Sequence, residues 1–334
     1  MDPISQAAVG AAFTQTVTPK RRLGIGIAIG LLAGLAPDID IFIKSQIDPL
    51  FSLKYHRHFT HSLLFIPIGG FLISLPIYFF CRPFFSYRRT FYLTTIGFAT
   101  HGLLDACTSY GTLLLWPFSN DRLAWNVISI VDPIFTIVTI LLLVLIFRYR
   151  TKTLSIFCVS WVTFYLIIGF IQNDRALQKT KTLAFERGHI PERVTVKPSI
   201  GNLLVWKAIY EHEDYYYVDA INNLFKPTVC PGERIKKFDR DNDLPLLKKN
   251  SQQEKDIEQF RWFSNNYLGF VPQGNYIIDI RYSTIPNKIT PLWGIVVDVE
   301  KEFNEHVTWK TNRKSGKSDL SHVVKLIQGE GCER

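Results

Sequence analysis

The first 173 of the 334 residues contain no glutamate. The seven acids in that stretch are all aspartates, set against 13 lysines and arginines, whereas residues 174–334 carry 22 acids and 25 basic residues. The absence excludes one class of chemistry, because an HExxH metalloprotease needs its glutamate as base, and that motif occurs nowhere in the chain. Aspartate is a poor filler of exposed helix surface, so acids that persist in an apolar half need a specific reason. The opening MDPISQAAVG lacks the basic segment of a secretory signal, which predicts that no signal peptide is cleaved. Cysteine is scarce as well. Cys81, Cys107 and Cys158 lie in apolar segments and read as buried thiols. Cys230 and Cys332 lie in the polar half and can pair if that half is outside the cytoplasm. The net charge of +9 fits basic loop anchors and contact with anionic headgroups, so the expected partners are membrane lipids and not nucleic acid. Oligomeric state is left open.

What the first half does have is long apolar runs. A bilayer core takes about 20 apolar residues in helical form, and residues 62–80, 131–147 and 154–172 fit. Residues 23–37 and 90–107 are shorter or richer in Gly, Ala, Thr and Ser, as expected of helices packed against helices, and residues 4–18 form a weaker sixth candidate. Basic clusters at Lys20-Arg21-Arg22, Arg82/Arg88/Arg89 and Arg148/Arg150/Lys152 alternate so that all can face the cytoplasm, with Lys44, Lys54 and Arg57 a mild counter-signal. The expectation is a mainly α polytopic bundle of five to six membrane helices over residues 1–173. Residues 174–334 would then be extracytoplasmic. After a charged helical exit over 174–190, the aromatic and β-branched runs 202–210, 215–221, 276–282 and 292–299 predict strands, and 232–260 reads as loop plus a short helix. That makes a small α+β, largely antiparallel domain.

The polar residues of the apolar half fall at helix ends. Asp38 and Asp40 close one helix in APDID, and His56, His58 and His61 precede the next in YHRHFTHS. His101 and Asp105 share a helix face at i, i+4 in HGLLD, and Asp132 opens a helix in VDP. Under one topology all of these meet at a single membrane face. Imidazole and carboxylate ligands suit zinc first, then manganese or iron(II), better than magnesium or calcium. The metal ligands expected are drawn from Asp38, Asp40, His56, His61, His101 and Asp105. Asp40 or Asp132 would accept a proton, and Arg57 would stabilise developing negative charge. Bland readings stand beside these. Asp132 before Pro133 is equally a helix N-cap, His58 reads as exposed, and His189, His212, His306 and His322 read as scattered.

The motifs LAGLAPDIDIF, HRHFTHSLL, HGLLDACTSYGTLLLWPFS and MDPISQAAVGAA resemble the YdjM-like family of inner-membrane proteins, described as metal-dependent hydrolases. Some members fall under the LexA-controlled damage response. The resemblance is strong over residues 1–173 and weaker beyond. It matches Asp38 and Asp40 to the family's PDxD, His56 and His61 to its HRxxTHS, and His101 with Asp105 to its HxxxD. The family is also distantly similar to zinc-dependent phospholipase C, which implies a phosphoester or lipid-linked substrate. This chain departs from the pattern at Gln6, where many relatives carry His, and so supports one metal and a weaker second. The function expected is a membrane-bound metal-dependent hydrolase. The alternatives are a non-enzymatic scaffold with a structural metal and, less well matched to ligands clustered at one face, a transporter.

Overall fold

The apolar half folds into helices whose starts are written in the sequence. In this computed structural model, which describes residues 1–312 and 317–333, α1 is Pro3–Val17, α2 Leu23–Leu35, α3 Phe51–Tyr55, α4 Ile66–Cys81, α5 Tyr87–Ala106, α6 Pro133–Tyr149 and α7 Lys152–Glu186. Asp2, Ser86 and Asp132 cap α1, α5 and α6 by accepting backbone N–H bonds, and Pro3 and Pro133 occupy first turns where no N–H is needed. Short 3-10 segments, Ala36–Phe42 and Phe59–His61, carry the APDID and FTH motifs.

Two compact units are present. The first comprises Met1–Ile43, Tyr55–Phe170 and Ile200–Asn202, and the second Lys44–Lys54, Ile171–Ser199 and Leu203–Arg334. In the first unit, α1 and α5 are the sheltered helices. Ten of the fifteen residues of α1 are buried, which is why it tolerates Ser5, Gln6, Thr14 and Gln15. Glycines let α1 and α2 touch: a Cβ on Gly10 would lie 2.5 Å from the Gly30 carbonyl oxygen, and one on Gly34 2.7 Å from that of Gln6. By contrast, α6 exposes Ile134, Ile137, Leu141, Val144 and Phe147. Sheltering each such side chain from water is worth roughly 1.5–3 kcal/mol, so this stripe calls for an apolar cover. Three helical stretches, Lys20–Phe42, Leu63–Cys81 and Lys152–Glu186, are long and apolar enough to cross a membrane, and α6 is apolar but shorter. The charged helical exit expected over 174–190 is the C-terminal part of α7, which runs to Glu186.

The second unit holds two four-stranded antiparallel sheets. One has the order β1 (Arg193–Pro198), β2 (Val205–His212), β3 (Tyr215–Asn222), β4 (Thr228–Lys236), and the other β5 (Leu268–Val271), β6 (Tyr276–Asp279), β7 (Trp293–Val296), β8 (Thr308–Thr311). Their helices are α8 (Arg240–Asp243), α9 (Gln252–Phe263) and α10 (Lys317–Gln328). Ile209, Tyr216, Val218, Tyr267, Ile278 and Ile280 pack into a shared core, and a disulfide joins Cys230 on β4 to Cys332. β4 begins earlier than the loop expected from 232 onward, and β1, β5 and β8 lie outside the expected runs.

Candidate metal centre

Helix direction assembles the centre. The N-terminal turns of α1, the segment after α2, the FTH turn ahead of α4 and the last turns of α5 meet at one end of the first unit. At the opposite end, Arg89 donates to the Val17 carbonyl, Lys152 Nζ donates to the Gln15 and Thr16 carbonyls at 2.8 and 3.0 Å, and Arg22 lies over the Phe85 ring. Arg22, Arg89 and Lys152 therefore lie at the end opposite the aspartate–histidine residues, whereas Arg57 lies among them.

Asp38, His61, His101 and Asp105 bring one ligand atom each to within 4.8 Å of one another. His61 Nε2 is 3.5 Å from Asp38 Oδ1 and 3.3 Å from Asp105 Oδ2, and His101 Nε2 is 3.3 and 3.7 Å from the same two oxygens. His101 Nδ1 lies 2.6 Å from the Gly34 carbonyl oxygen, which can only accept, so Nδ1 carries the proton. In neutral His101 the lone pair is then at Nε2, aimed at two carboxylates. His61 repeats this arrangement with Nδ1 against Asp40 Oδ2 at 3.2 Å and Thr60 Oγ1 at 3.0 Å. Neither Nε2 makes a hydrogen bond among the described residues, although both rings are buried. Two imidazole lone pairs converge there with the Asp38 and Asp105 carboxylates, an arrangement that favours a positive charge between them beyond the donors that already face Asp105. Burial disfavours a proton on His61, yet Asp105, Asp38 and Asp40 outweigh it and raise its pKa to about 10. A divalent metal answers the same demand, since a tetrahedron with bonds of roughly 2.0–2.1 Å has edges of about 3.3 Å, close to the spacings found.

The surrounding groups hold these ligands in place. Asp40 accepts from the Arg57 backbone N–H at 2.9 Å and Thr60 Oγ1 at 2.8 Å, and it pairs with His56 Nδ1 at 2.8 Å. It organises the HRHFTH turn, in which Arg57 adopts the left-handed φ of 61°. Arg57 Nε lies 3.0 Å from Asp105 Oδ2, its Nη1 donates to Thr108 Oγ1 at 3.0 Å, and its guanidinium lies 4.7 Å from the Tyr110 ring centroid. Gln6 Nε2 donates to Asp105 Oδ1 at 2.8 Å, and the Met1 amino group pairs with the same oxygen. The Gln6 Oε1 is buried without a hydrogen bond among the described residues. Gly102 is required by the approach of the FTH turn, because a Cβ there would sit 2.2 Å from the His61 carbonyl oxygen.

All six expected ligands thus lie in two adjoining groups, the second being Asp38, Asp40 and His56, with Asp38 shared. Asp132 is elsewhere. It is buried at the α6 N-cap, accepting from the Phe135 N–H at 3.1 Å and from Tyr165 Oη at 2.8 Å. His58, expected to be exposed, is half-buried beside the Trp116 ring. Sequence reasoning set His306 aside, but it pairs with Asp256 at 3.0 Å and groups with Asp48 in the second unit. Asp256 there is already satisfied by Gln252 and the Val307 N–H. No sequence spacing links those three residues.

The family model for the YdjM inner membrane protein matches residues 1–176, a stretch that includes every residue of the centre. The chain belongs to the YdjM inner membrane protein family. It is 32% identical over 133 residues to the inner membrane protein YbcI of Escherichia coli (strain K12), covering 36% of this chain and 69% of YbcI. It is 31% identical over 108 residues to the uncharacterized protein YfhP of Bacillus subtilis (strain 168), covering 32% of each. The chain thus spans about a third of the length of YfhP. No solved structure matches.

Proposed function

We propose that this YdjM-family protein is a metal-dependent hydrolase of the inner membrane that cleaves a phosphoester of a lipid or lipid-linked substrate. The observation that carries the reading is the convergence of the His61 and His101 Nε2 atoms with carboxylates of Asp38 and Asp105, with both Nδ1 protons committed elsewhere. Zinc fits this donor set, with manganese or iron(II) next. A metal held there would lower the pKa of a bound water to about 7 and polarise a phosphoryl oxygen. The chain's own groups do the rest. The Asp40–His56 pair orients an imidazole whose Nδ1 is committed to carboxylate, leaving Nε2 to accept a proton. Arg57 holds positive charge beside Asp105, where a phosphoryl group gathers negative charge. Asp40 is an orienting group in this scheme, and Asp132, as cap of α6, stands apart from it.

In this reading α1, α5 and α6 complete a bundle of five to six spans, with the centre at the outer face. The basic clusters at the opposite end support that orientation by the positive-inside rule, and the Cys230–Cys332 disulfide supports an extracytoplasmic second unit. One observation favours the non-enzymatic alternative. Four protein ligands can close a tetrahedral shell, which is the form of a structural site.

The deciding experiment is metal analysis of the purified protein together with mass spectrometry of a lipid extract incubated with it, with and without chelator. Bound metal and chelator-sensitive release of a headgroup or phosphate are expected, and both should vanish in His101→Ala. Tightly held metal with an unchanged lipid panel would replace the hydrolase with the scaffold.

A further inference from the structure

Two apolar grooves of nearly equal volume run along the first unit, and they differ in one respect. The groove of 490 Å³ between α1, α2 and α6 is walled by residues such as Ala7, Leu31, Val144 and Phe147 and has only apolar walls. The groove of 480 Å³ between α2, its 3-10 extension and α4 is walled by Leu35, Ile39, Phe42, Ile73 and Phe80, and Asp38 lines it too. Asp38 is also the accessible member of the four-ligand group: its side chain is 25% exposed, whereas those of His61, His101 and Asp105 are fully buried. The group therefore opens into this groove. The walls face outward from two membrane-crossing stretches, with Phe42 79% and Phe80 75% exposed, so the medium beside them is hydrocarbon. A carboxylate lining such a wall is costly unless it is paired; Asp38 Oδ1 has His61 and His101 Nε2 at 3.5 and 3.3 Å on its inner side, and its exposed side is left to face the groove.

A molecule that satisfies both ends has a hydrocarbon chain for the walls and an anionic head for the Asp38 end. The head must carry oxygens able to complete a metal's coordination, because Asp38 alone would repel it. We infer that this groove seats the hydrocarbon chain of a phosphorylated membrane amphiphile, delivered sideways from the bilayer with its phosphate at Asp38. The inference rests on the metal-centre reading above and specifies the substrate class and its route. The volume lies within the roughly 300–1,000 Å³ typical of ligand sites. The wholly apolar groove serves as an internal control, since it offers hydrocarbon contact without a polar end.

The test uses the full-length protein in phosphatidylcholine vesicles containing phosphatidic acid with a diazirine in its acyl chain. Saturable crosslinks are expected on peptides containing Ile73 and Phe80, competed by unlabelled phosphatidic acid but neither by extra phosphatidylcholine nor by inorganic phosphate. Crosslinks at Val144 and Phe147 should stay linear and uncompeted. Ile73→Trp, which fills the groove, should lose the saturable labelling, and Ile73→Val should keep it, separating occlusion from misfolding. Equal, uncompeted labelling of both grooves would overturn the inference, as would competition by inorganic phosphate alone. Saturable labelling without any phosphate release would leave the groove assigned and remove the hydrolase reading instead.

Discussion

At the residue scale, the centre is a set of side chains whose hydrogen bonds fix their tautomers. Asp40 contributes most to this, because its two oxygens hold His56, the Arg57 N–H and Thr60. Two consequences can be measured. Replacing His56 with Asn removes the proposed proton acceptor while sparing the Asp38, His61, His101, Asp105 group. Turnover should fall by roughly 10²–10⁴-fold with metal content unchanged; a parallel loss of metal would make His56 a ligand. Gly102→Ala adds one methyl group where the His61 carbonyl sits at 2.2 Å from the built Cβ, and backbone cannot yield as a side-chain tip can. Displacing His61 would disturb a proposed ligand from behind, a class of change that typically costs about 10–100-fold in metal affinity. Metal titration of the variant checks this, with circular dichroism confirming that its helices persist. Wild-type affinity in Gly102→Ala would remove His61 from the ligand set.

At the scale of elements, the sequence was most legible where apolar runs are long. The runs 62–80 and 131–147 correspond to α4 and α6, and the Gly- and Thr-rich runs 23–37 and 90–107 to the packed helices α2 and α5. The HxxxD spacing placed His101 and Asp105 on one face, as found. Less legible were β1, β4, β5 and β8. β4 contains Pro231-Gly232, which reads as a turn, β5 is interrupted by Gly269, and β8 offers Trp309 as its single apolar residue, so none of the three reads as an apolar or alternating run. The role of Gln6 was flagged only by comparison with relatives, since no local pattern marks a glutamine that reaches Asp105 from 99 positions away.

β2 supplies another test. Lys207 is buried within it, donating to Ser283 Oγ at 2.9 Å and to the Pro286 and Lys288 carbonyls at 3.3 and 2.8 Å. Burial pushes its ammonium down to about 7, against the opposing pull of Glu233 and Asp279. The unfolded lysine titrates near about 10.4. Between these values the unfolded chain binds more protons than the folded one, so stability should rise with pH across that window and level off above it. Hydrogen exchange of β2 and β3 peptides, compared at each pH with Lys207→Met, should show the wild-type slope and its loss in the variant. Identical slopes would mean that Lys207 stays charged when folded.

At the scale of the whole molecule, the arrangement along the chain becomes a statement about sides of a membrane. Arg89 and Lys152 meet the carbonyls at the end of α1, so these basic residues gather at one end of the first unit, and the positive-inside rule supports the proposal that this end is cytoplasmic. The second unit carries a disulfide between Cys230 and Cys332, which persists in an oxidising compartment and is rare in a reducing one. These two signals come from different parts of the chain and different physics, and both support the proposed extracytoplasmic placement of residues 174–334. The positions to label are Ser86, exposed at the N-cap of α5, and Lys249, exposed in the second unit, each changed to Cys with Cys81 replaced by Ser to lower the background. In intact cells a membrane-impermeant thiol reagent should reach Lys249→Cys at once and Ser86→Cys only after permeabilisation. Both sites reacting in intact cells would invert or collapse the topology. The metal centre, at the end opposite the basic loops, would then lose its place at the outer leaflet, and a substrate drawn from that leaflet would go with it.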